Sequence, residues 1–547
     1  MDQIKKSTAG EKCGLPLILA VGLVARLHWF WYNPSLWNDE ASLANNLIKY
    51  SFSKIAVTPL DDAQAAPPGY LLLEKLFGLA GNYSEHSLRF LSLLCGIAAL
   101  FLFADLTRRV LSGAGRLLAV AAFSLSGPLI YHSGEVKQYQ MEVLAAVVLL
   151  WLAVRFHENL TGRQALGVGG VGILCVVCSN SAIFVLSGAF GLMAARFFLL
   201  KQYRMLAHAG VVLGLAGSAF LAYYFLILRL NPNVAQLKAG WAPHFAPWPV
   251  SSSGVLWYVR TAFFAMVNPF GLSLDLDLPF LPQSVAAKYA VALSVGGVGL
   301  FILGVVEFWR RDRYLGGLIL AALVTTLGAS LLGQYPLNER LIVFLAPVFL
   351  LTVGKGAELA GGVAARKGVR WGVRFLVALT SVYLAINFTA KITHPAWFGG
   401  VEKYSQAREA IHYIAQARRK DDRVYLMWNA VRFYDYYNFR EKLDWPLDVG
   451  TDPRRQAHSL DDIGADARRE IQASLEGENR VWFLLGDVLS PVEYRDQNGV
   501  VHQSATPTAT IFKAVLSGNP YQAPEKFTGH AVEVYTLPRE GQDTTGK

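Results

Sequence analysis

Residues 116–156 read RLLAVAAFSLSGPLIYHSGEVKQYQMEVLAAVVLLWLAVRF. Two apolar blocks flank one polar turn, Tyr131-His132-Ser133-Gly134-Glu135-Val136-Lys137-Gln138-Tyr139, which gathers an acid, a base and two tyrosines. The hydrocarbon core of a bilayer is about 30 Å thick, so a spanning helix needs about 20 largely apolar residues. The blocks read as two such helices joined by a short turn at bilayer depth. Ionisable groups there are costly to keep and by default functional. One stretch therefore sets both the solvent of this chain, which is lipid, and its first candidate site.

Blocks of the same kind begin near residues 15, 87, 116, 139, 165, 183, 206, 286, 314, 340 and 371, giving about eleven crossings. The pair near 165 and 183 is joined only by Ser179-Asn180-Ser181. Composition agrees, because 16% of the residues are charged, against roughly 25% in a soluble protein. Lys5, Lys6 and Lys12 precede the first block like the charged start of a secretory signal. That block runs on into Trp29, Trp31 and Tyr32 without a small-residue cleavage site, so it reads as a retained helix.

The formal charge of +10 raises the question of nucleic acid. Its placement argues against that class, since the excess lies in short turns between apolar blocks. Arg108, Arg109 and Arg116 share one turn, Arg155 and Arg163 the next, and Arg196, Lys201 and Arg204 another. Arg310, Arg311 and Arg313 follow, then Lys355, Arg366, Lys367, Arg370 and Arg374. Alternate turns are thus the basic ones, which places the N-terminus in the cytoplasm and the chain beyond about residue 391 outside.

Two outer loops, roughly 34–86 and 229–285, are too long to be plain turns. The first holds helix-forming stretches after Glu40 and after Pro68. Residues 1–392 form the membrane domain in this reading, and 393–547 a soluble α/β domain. There, Arg408–Arg419 reads as an amphipathic helix, with strands at Arg423–Trp428, Val481–Leu485 and Ala531–Leu537. The aromatic cluster Tyr434, Tyr436 and Tyr437 suits either packing or a sugar. All four cysteines, Cys13, Cys95, Cys175 and Cys178, lie in or beside apolar blocks and read as small buried hydrophobes.

Four clusters carry candidate chemistry. Asp39 and Glu40 follow Trp37 just past the first block; they are either solvated acids or a general base for a hydroxyl substrate. Glu135 and Lys137 either neutralise each other or supply an acid, for catalysis or a metal, beside a cation for a phosphate. Gln64-Ala65-Ala66-Pro67-Pro68-Gly69-Tyr70 breaks the chain before an apolar helix at Tyr70–Leu79. In Gln334-Tyr335-Pro336-Leu337-Asn338-Glu339-Arg340, Arg340 suits either an ion pair with Glu339 or forked hydrogen bonds to a lipid phosphate. Arg26 and Arg89 are secondary candidates.

In their order and loop placement these elements resemble the GT-C fold membrane glycosyltransferases, in the bacterial branch of the protein O-mannosyltransferase and aminoarabinose transferase superfamily. The resemblance implies an α-helical polytopic membrane protein, a GT-C-like domain of about eleven transmembrane helices with a C-terminal soluble α/β domain. It implies a polyprenyl-phosphate sugar donor and an acceptor (protein, lipid or polysaccharide) on the outer side of a bacterial inner membrane, where the tail is periplasmic. In that picture Asp39 is the catalytic base with Glu40 beside it, and Glu135 is the second acid. Lys137 and Arg340 face the donor phosphate, while Tyr139, Gln64, Tyr70 and Arg89 complete the substrate site. Relatives often carry His or Lys just before the double proline where this chain has Ala66, which leaves the sugar (hexosyl or pentosyl) and any magnesium or manganese ion open. A phosphate leaving group stabilised by cations needs no acid, so a single base implies inversion at the sugar carbon. The competing classes are a transporter or flippase for lipid-linked saccharides and an inert scaffold. The acids lie in outer loops and no repeated halves are visible, which favours the enzyme.

Overall fold

The computed structural model describes residues 9–272, 283–366, 388–389, 392–393, 405–452, 458–476, 480–486, 491–495, 501–517, 525–529 and 532–538. In chain order the helices are α1 Ala9–Tyr32, α2 Asn38–Lys49, α3 Phe52–Ile55, α4 Pro68–Ala80, α5 Glu85–Val110, α6 Gly113–Leu125, α7 Gly127–His132 and α8 Tyr139–Phe156. Then come α9 Gly162–Cys178, α10 Ala182–Leu199, α11 Tyr203–Tyr223, α12 Asn233–Gly240, α13 Ser252–Val267, α14 Gln283–Arg311 and α15 Arg313–Leu331. A 3-10 segment, Glu339–Leu345, leads into α16, Ala346–Arg366. The chain divides into two compact units, residues 1–33 with 50–399 and residues 34–49 with 400–547. The start of the first outer loop, with α2, groups with the C-terminal region.

Among the described residues, eight helical stretches are long and apolar enough to cross a membrane, at the blocks near 15, 87, 139, 183, 206, 286, 314 and 340. The blocks near 116 and 165 give shorter apolar helices, Gly113–Leu125 and Gly162–Cys178. The block near 371 lies outside the described residues.

The third block is short because it breaks. Ser126 leaves the helical region at ψ 119°, ending α6, and Pro128 occupies the first turn of α7. A proline has no N–H to give the carbonyl four residues back, which here belongs to Ser124. In hydrocarbon no water replaces that donor, and each orphaned group costs several kcal/mol. Arg26 of α1 supplies it. The fully buried guanidinium donates from Nη1 to the carbonyls of Ser124 (3.0 Å) and Gly22 (2.9 Å), and from Nη2 to that of Phe123 (3.3 Å). Gly22 lets the helices meet there, since a Cβ on it would lie 2.8 Å from Ser124 Cβ.

α16 forms the centre of the bundle, its span 89% buried, whereas the span Tyr203–Leu228 is only 17% buried and turns outward. Close backbone approach fixes α16 on two sides. A Cβ on Gly304 of α14 would lie 1.9 Å from the Thr352 carbonyl, and one on Gly356 would lie 1.9 Å from the Leu300 carbonyl. Against α6, Gly354 and Gly115 face each other's backbone in the same way. Small residues at helix contacts are how membrane helices gain dispersion when lipid gives no hydrophobic drive.

The C-terminal unit is α/β. Its five-stranded sheet has the order β2-β1-β3-β7-β6, with β1 (Arg423–Leu426), β2 (Leu447–Val449), β3 (Arg480–Gly486), β6 (Glu525–Gly529) and β7 (Val532–Pro538). β1 runs parallel to β2 and β3, and β7 antiparallel to β3 and β6. β4 (Pro491–Arg495) and β5 (Val501–Pro507) make a separate hairpin. The amphipathic helix is Ala407–Ala417, burying Ala407, Ala410, Ile411 and Ile414. Tyr436 and Tyr437 are wholly buried and Tyr434 lies tilted against Trp445, so this cluster is packing. Asp422 accepts from Arg480 Nε (2.8 Å), Trp482 Nε1 (2.9 Å) and the Arg419 N–H (2.7 Å). Burial pushes its carboxyl up, but these donors outweigh it and hold the carboxyl below its usual value.

Arg26→Met should strand the carbonyls at the break and cost about 3 kcal/mol or more. Thermal unfolding of purified protein in detergent measures this, and an unchanged midpoint would mean that another group satisfies the break. A depressed carboxylate stabilises above its unfolded pKa, and the gain is lost as pH falls through the folded value. Asp422→Asn should therefore lower stability at pH 7 and flatten its fall between about pH 5 and pH 2. Urea unfolding of the full chain at each pH reports it; parallel pH curves for both proteins would remove the role given to Asp422.

Candidate active site

The break delivers α7 into a buried turn. Trp29 Nε1 of α1 donates to the Tyr131 carbonyl at 3.0 Å, and Ser92 Oγ of α5 donates to the Glu135 carbonyl at 2.7 Å. Both helices come close: a Cβ on Gly134 would lie 2.6 Å from the Trp29 ring, and one on Gly96 would lie 2.6 Å from Ser133 Cβ. Residues 131–139 are all buried. A polar turn so enclosed must satisfy its groups within the protein.

Glu135, 1% exposed, pairs with His132 Nδ1 at 2.6 Å, and the Tyr131 hydroxyl donates to it at 3.5 Å. Lys137, 5% exposed, donates to Gln64 Oε1 in the first outer loop. Of the two residues, Glu135 is thus bonded to His132 and Lys137 to Gln64. Asp62 and Ala63, just before Gln64, both have positive φ (56° and 52°). For a residue with a Cβ that conformation costs roughly 1–2 kcal/mol. Asn233 Nδ2 from the second outer loop holds the strained segment by donating to the Leu60 carbonyl at 2.6 Å.

The double proline starts α4: Pro67 is extended (φ −62°, ψ 142°) and Pro68 opens the helix. The chain then lies hard against the end of α9, where a Cβ on Gly69 would meet Cys178 Sγ at 2.7 Å. This sets Tyr70, fully buried, among Glu74, Glu135 and Cys95. Burial first, then Glu74 and Glu135, raise the Tyr70 phenol well above its ordinary value. It remains a neutral hydrogen-bond donor beside the acids.

Tyr139 extends the site toward the 3-10 segment. Its ring stands 5.1 Å from that of His132, and the Arg340 guanidinium lies 5.9 Å from the Tyr139 ring and 5.5 Å from that of Trp241. Such cation–ring contacts hold a guanidinium in place. Glu339, its neighbour, accepts from Asn268 Nδ2 at 3.1 Å. Arg89 is engaged elsewhere, donating to Asn33 Oδ1 at 2.8 Å, while Asn33 Nδ2 reaches Glu85 at 3.2 Å.

The sequence reading missed two groups. His132 lay in the quoted turn without a role, though its three-residue spacing from Glu135 was the available signal. Glu142 lay inside an apolar block, and an acid there is itself the signal. It is 2% exposed; Ser181 hydrogen-bonds its carboxyl, and Tyr223 and Tyr335 lie near it. Its Oε2 and both ends of the fully buried Gln140 amide have no hydrogen-bond partner among the described residues.

Asp39 and Glu40 belong to the other unit. Glu40 Oε2 accepts from the Trp37 N–H at 3.2 Å, so this buried acid caps the start of α2. Asp39 is half-buried in the same first turn. Among the described residues no three His, Cys, Asp or Glu side chains are grouped to hold a metal ion.

No family model and no curated protein matches this chain. Among solved structures, ArnT from Cupriavidus metallidurans bound to undecaprenyl phosphate aligns with a TM-score of 0.52 at 12% identity, over 97% of this chain and 98% of that one. Its apo state aligns at 0.51 and 12%, over 95% and 97%. The archaeal oligosaccharyltransferase AglB from Archaeoglobus fulgidus, in complex with an inhibitory peptide and a dolichol-phosphate, aligns at 0.47 and 13%, over 91% and 75%. The likeness to ArnT shows that this chain has the GT-C fold.

If Glu135 and His132 act as one buried unit, truncating either removes most of what removing both does. Melting temperatures of Glu135→Gln, His132→Asn and the double variant should give a coupling of about 1–3 kcal/mol. Simple additivity would show that the two side chains are independent.

Proposed function

We propose that this protein is an inverting glycosyltransferase, moving a sugar from a polyprenyl-phosphate donor to an acceptor hydroxyl or amine on the outer side of a bacterial inner membrane. The observation that carries the reading is the enclosed turn, where a buried lysine bonded to Gln64 and a buried acid bonded to His132 stand two residues apart within a GT-C fold. The ArnT structure that shares this fold is bound to undecaprenyl phosphate, a lipid phosphate of the class proposed here.

In this reading the donor phosphate lies against Lys137 and Arg340, with Gln64 and the neutral Tyr70 as further hydrogen-bond partners. The acceptor attacks the anomeric carbon from the face opposite the phosphate. As the new bond forms, the bond from the sugar carbon to the phosphate oxygen breaks, and its electron pair leaves with the polyprenyl phosphate. The two cations stabilise that growing charge, so the leaving group needs no proton. Asp39 takes the acceptor's proton. Glu40, held as a helix cap, fixes the turn that presents Asp39. Glu135 orients His132 and, through the shared turn, Lys137.

Purified protein given a panel of radiolabelled polyprenyl-phosphate sugars should transfer or slowly hydrolyse one of them. Asp39→Asn should lower that rate by about 100-fold or more, and the product should have the opposite anomeric configuration to the donor. Lys137→Met should weaken donor binding by about tenfold or more. Net retention would overturn the single-displacement mechanism. Tight donor binding with no turnover, indifferent to Asp39→Asn, would favour a transporter or scaffold.

A further inference from the structure

The proposed base sits on a short helix that the membrane bundle does not claim. α2 has 12 residues, a length at which an isolated helix is marginal in water. It groups with residues 400–547 and packs on the helix Val431–Glu441. Ala41, Leu43, Ala44 and Leu47 on it are at most 1% exposed. Three polar ties fix its ends. Ahead of α2, Ser35 Oγ donates to Glu409 at 2.6 Å and accepts from the Arg408 N–H at 3.2 Å. Beside Asp39, the Arg432 guanidinium donates to Asn38 Oδ1. Two turns on, Asn45 Nδ2 donates to the Arg432 carbonyl at 2.8 Å.

From this geometry we infer that the C-terminal domain is the positioning platform of the first-loop acid, with Arg432 as its positioning residue. The inference rests on the reading of Asp39 as the base. One residue of the domain grips α2 twice: its side chain holds Asn38, next to Asp39, and its backbone holds Asn45. Helix rotation or sliding would break both bonds, so Arg432 sets the direction in which Asp39 points. A base must be held to well within 1 Å to act, and a misplacement of about 1 Å costs on the order of 100-fold in rate. The domain thus supplies rate, through Asp39, independently of any part in acceptor recognition.

The test is a cycle on full-length protein with Arg432→Ala, Asn38→Ala and their double variant, with Asp39→Asn beside them. Each single variant should lower kcat by about 10- to 100-fold, with the donor KM and the melting temperature unchanged. The double variant should be no worse than either single one, and Arg432→Lys, which keeps a donor, should recover part of the rate. Asn38→Ala keeps the domain's own residues intact, so the prediction survives if Arg432→Ala misfolds. Full kcat in Arg432→Ala and Asn38→Ala, or additive losses, with Asp39→Asn inactive, would overturn the positioning role alone. An active Asp39→Asn would instead remove the reading of Asp39 as the base.

Discussion

A proline inside a membrane helix asks for a hydrogen-bond donor that lipid does not contain. In this fold the answer is Arg26, whose guanidinium reaches three carbonyls at and beside the break before Pro128. Few side chains could serve there, since a planar fork of five N–H donors is needed to satisfy several oxygens at once. Once the break is satisfied, α7 can leave the line of α6 and drive residues 131–139 into the protein. The acid, the histidine and the lysine are buried because the helix is interrupted. A continuous helix would have presented the same residues on one spiral face.

Much of this was legible in the sequence, for a reason peculiar to lipid. A spanning helix must be long and apolar, so the blocks from residue 15 to residue 340 announce themselves, and the structure has an apolar helix at each. The strands of the tail were equally visible, because the short continuous apolar runs after Arg423 and Arg480 are a local property. What the sequence did not reveal depends on partners far away. Arg26 reads as an arginine near a membrane surface until Ser124 is placed beside it. Glu142 vanishes into an apolar average. Residues 34–49 follow the first membrane helix in sequence yet group with the domain some 370 residues later.

Asp39 and Glu40 show the same limit at the finest scale. Adjacent acids look equivalent in a sequence, and both suit a base. Folding separates them by rotation alone, because neighbours on a helix point about 100° apart. Glu40 turns back to the Trp37 N–H and becomes part of the helix start, while Asp39 keeps a partly open side.

The glycine contacts of α16 bear on the opposite end of that same element. At Gly304 and Gly356 not even a methyl group fits between the two backbones, so α14 and α16 have no slack along their seam. The 3-10 segment carrying Arg340 is continuous with α16, and from residue 340 to residue 356 the chain rises about 27 Å. Any wedge driven in at the seam therefore swings that outer end like the tip of a lever. The placement of a half-buried cation is thereby written into the deep interior, in residues that carry no charge, no hydrogen-bonding side chain and no chemistry of their own.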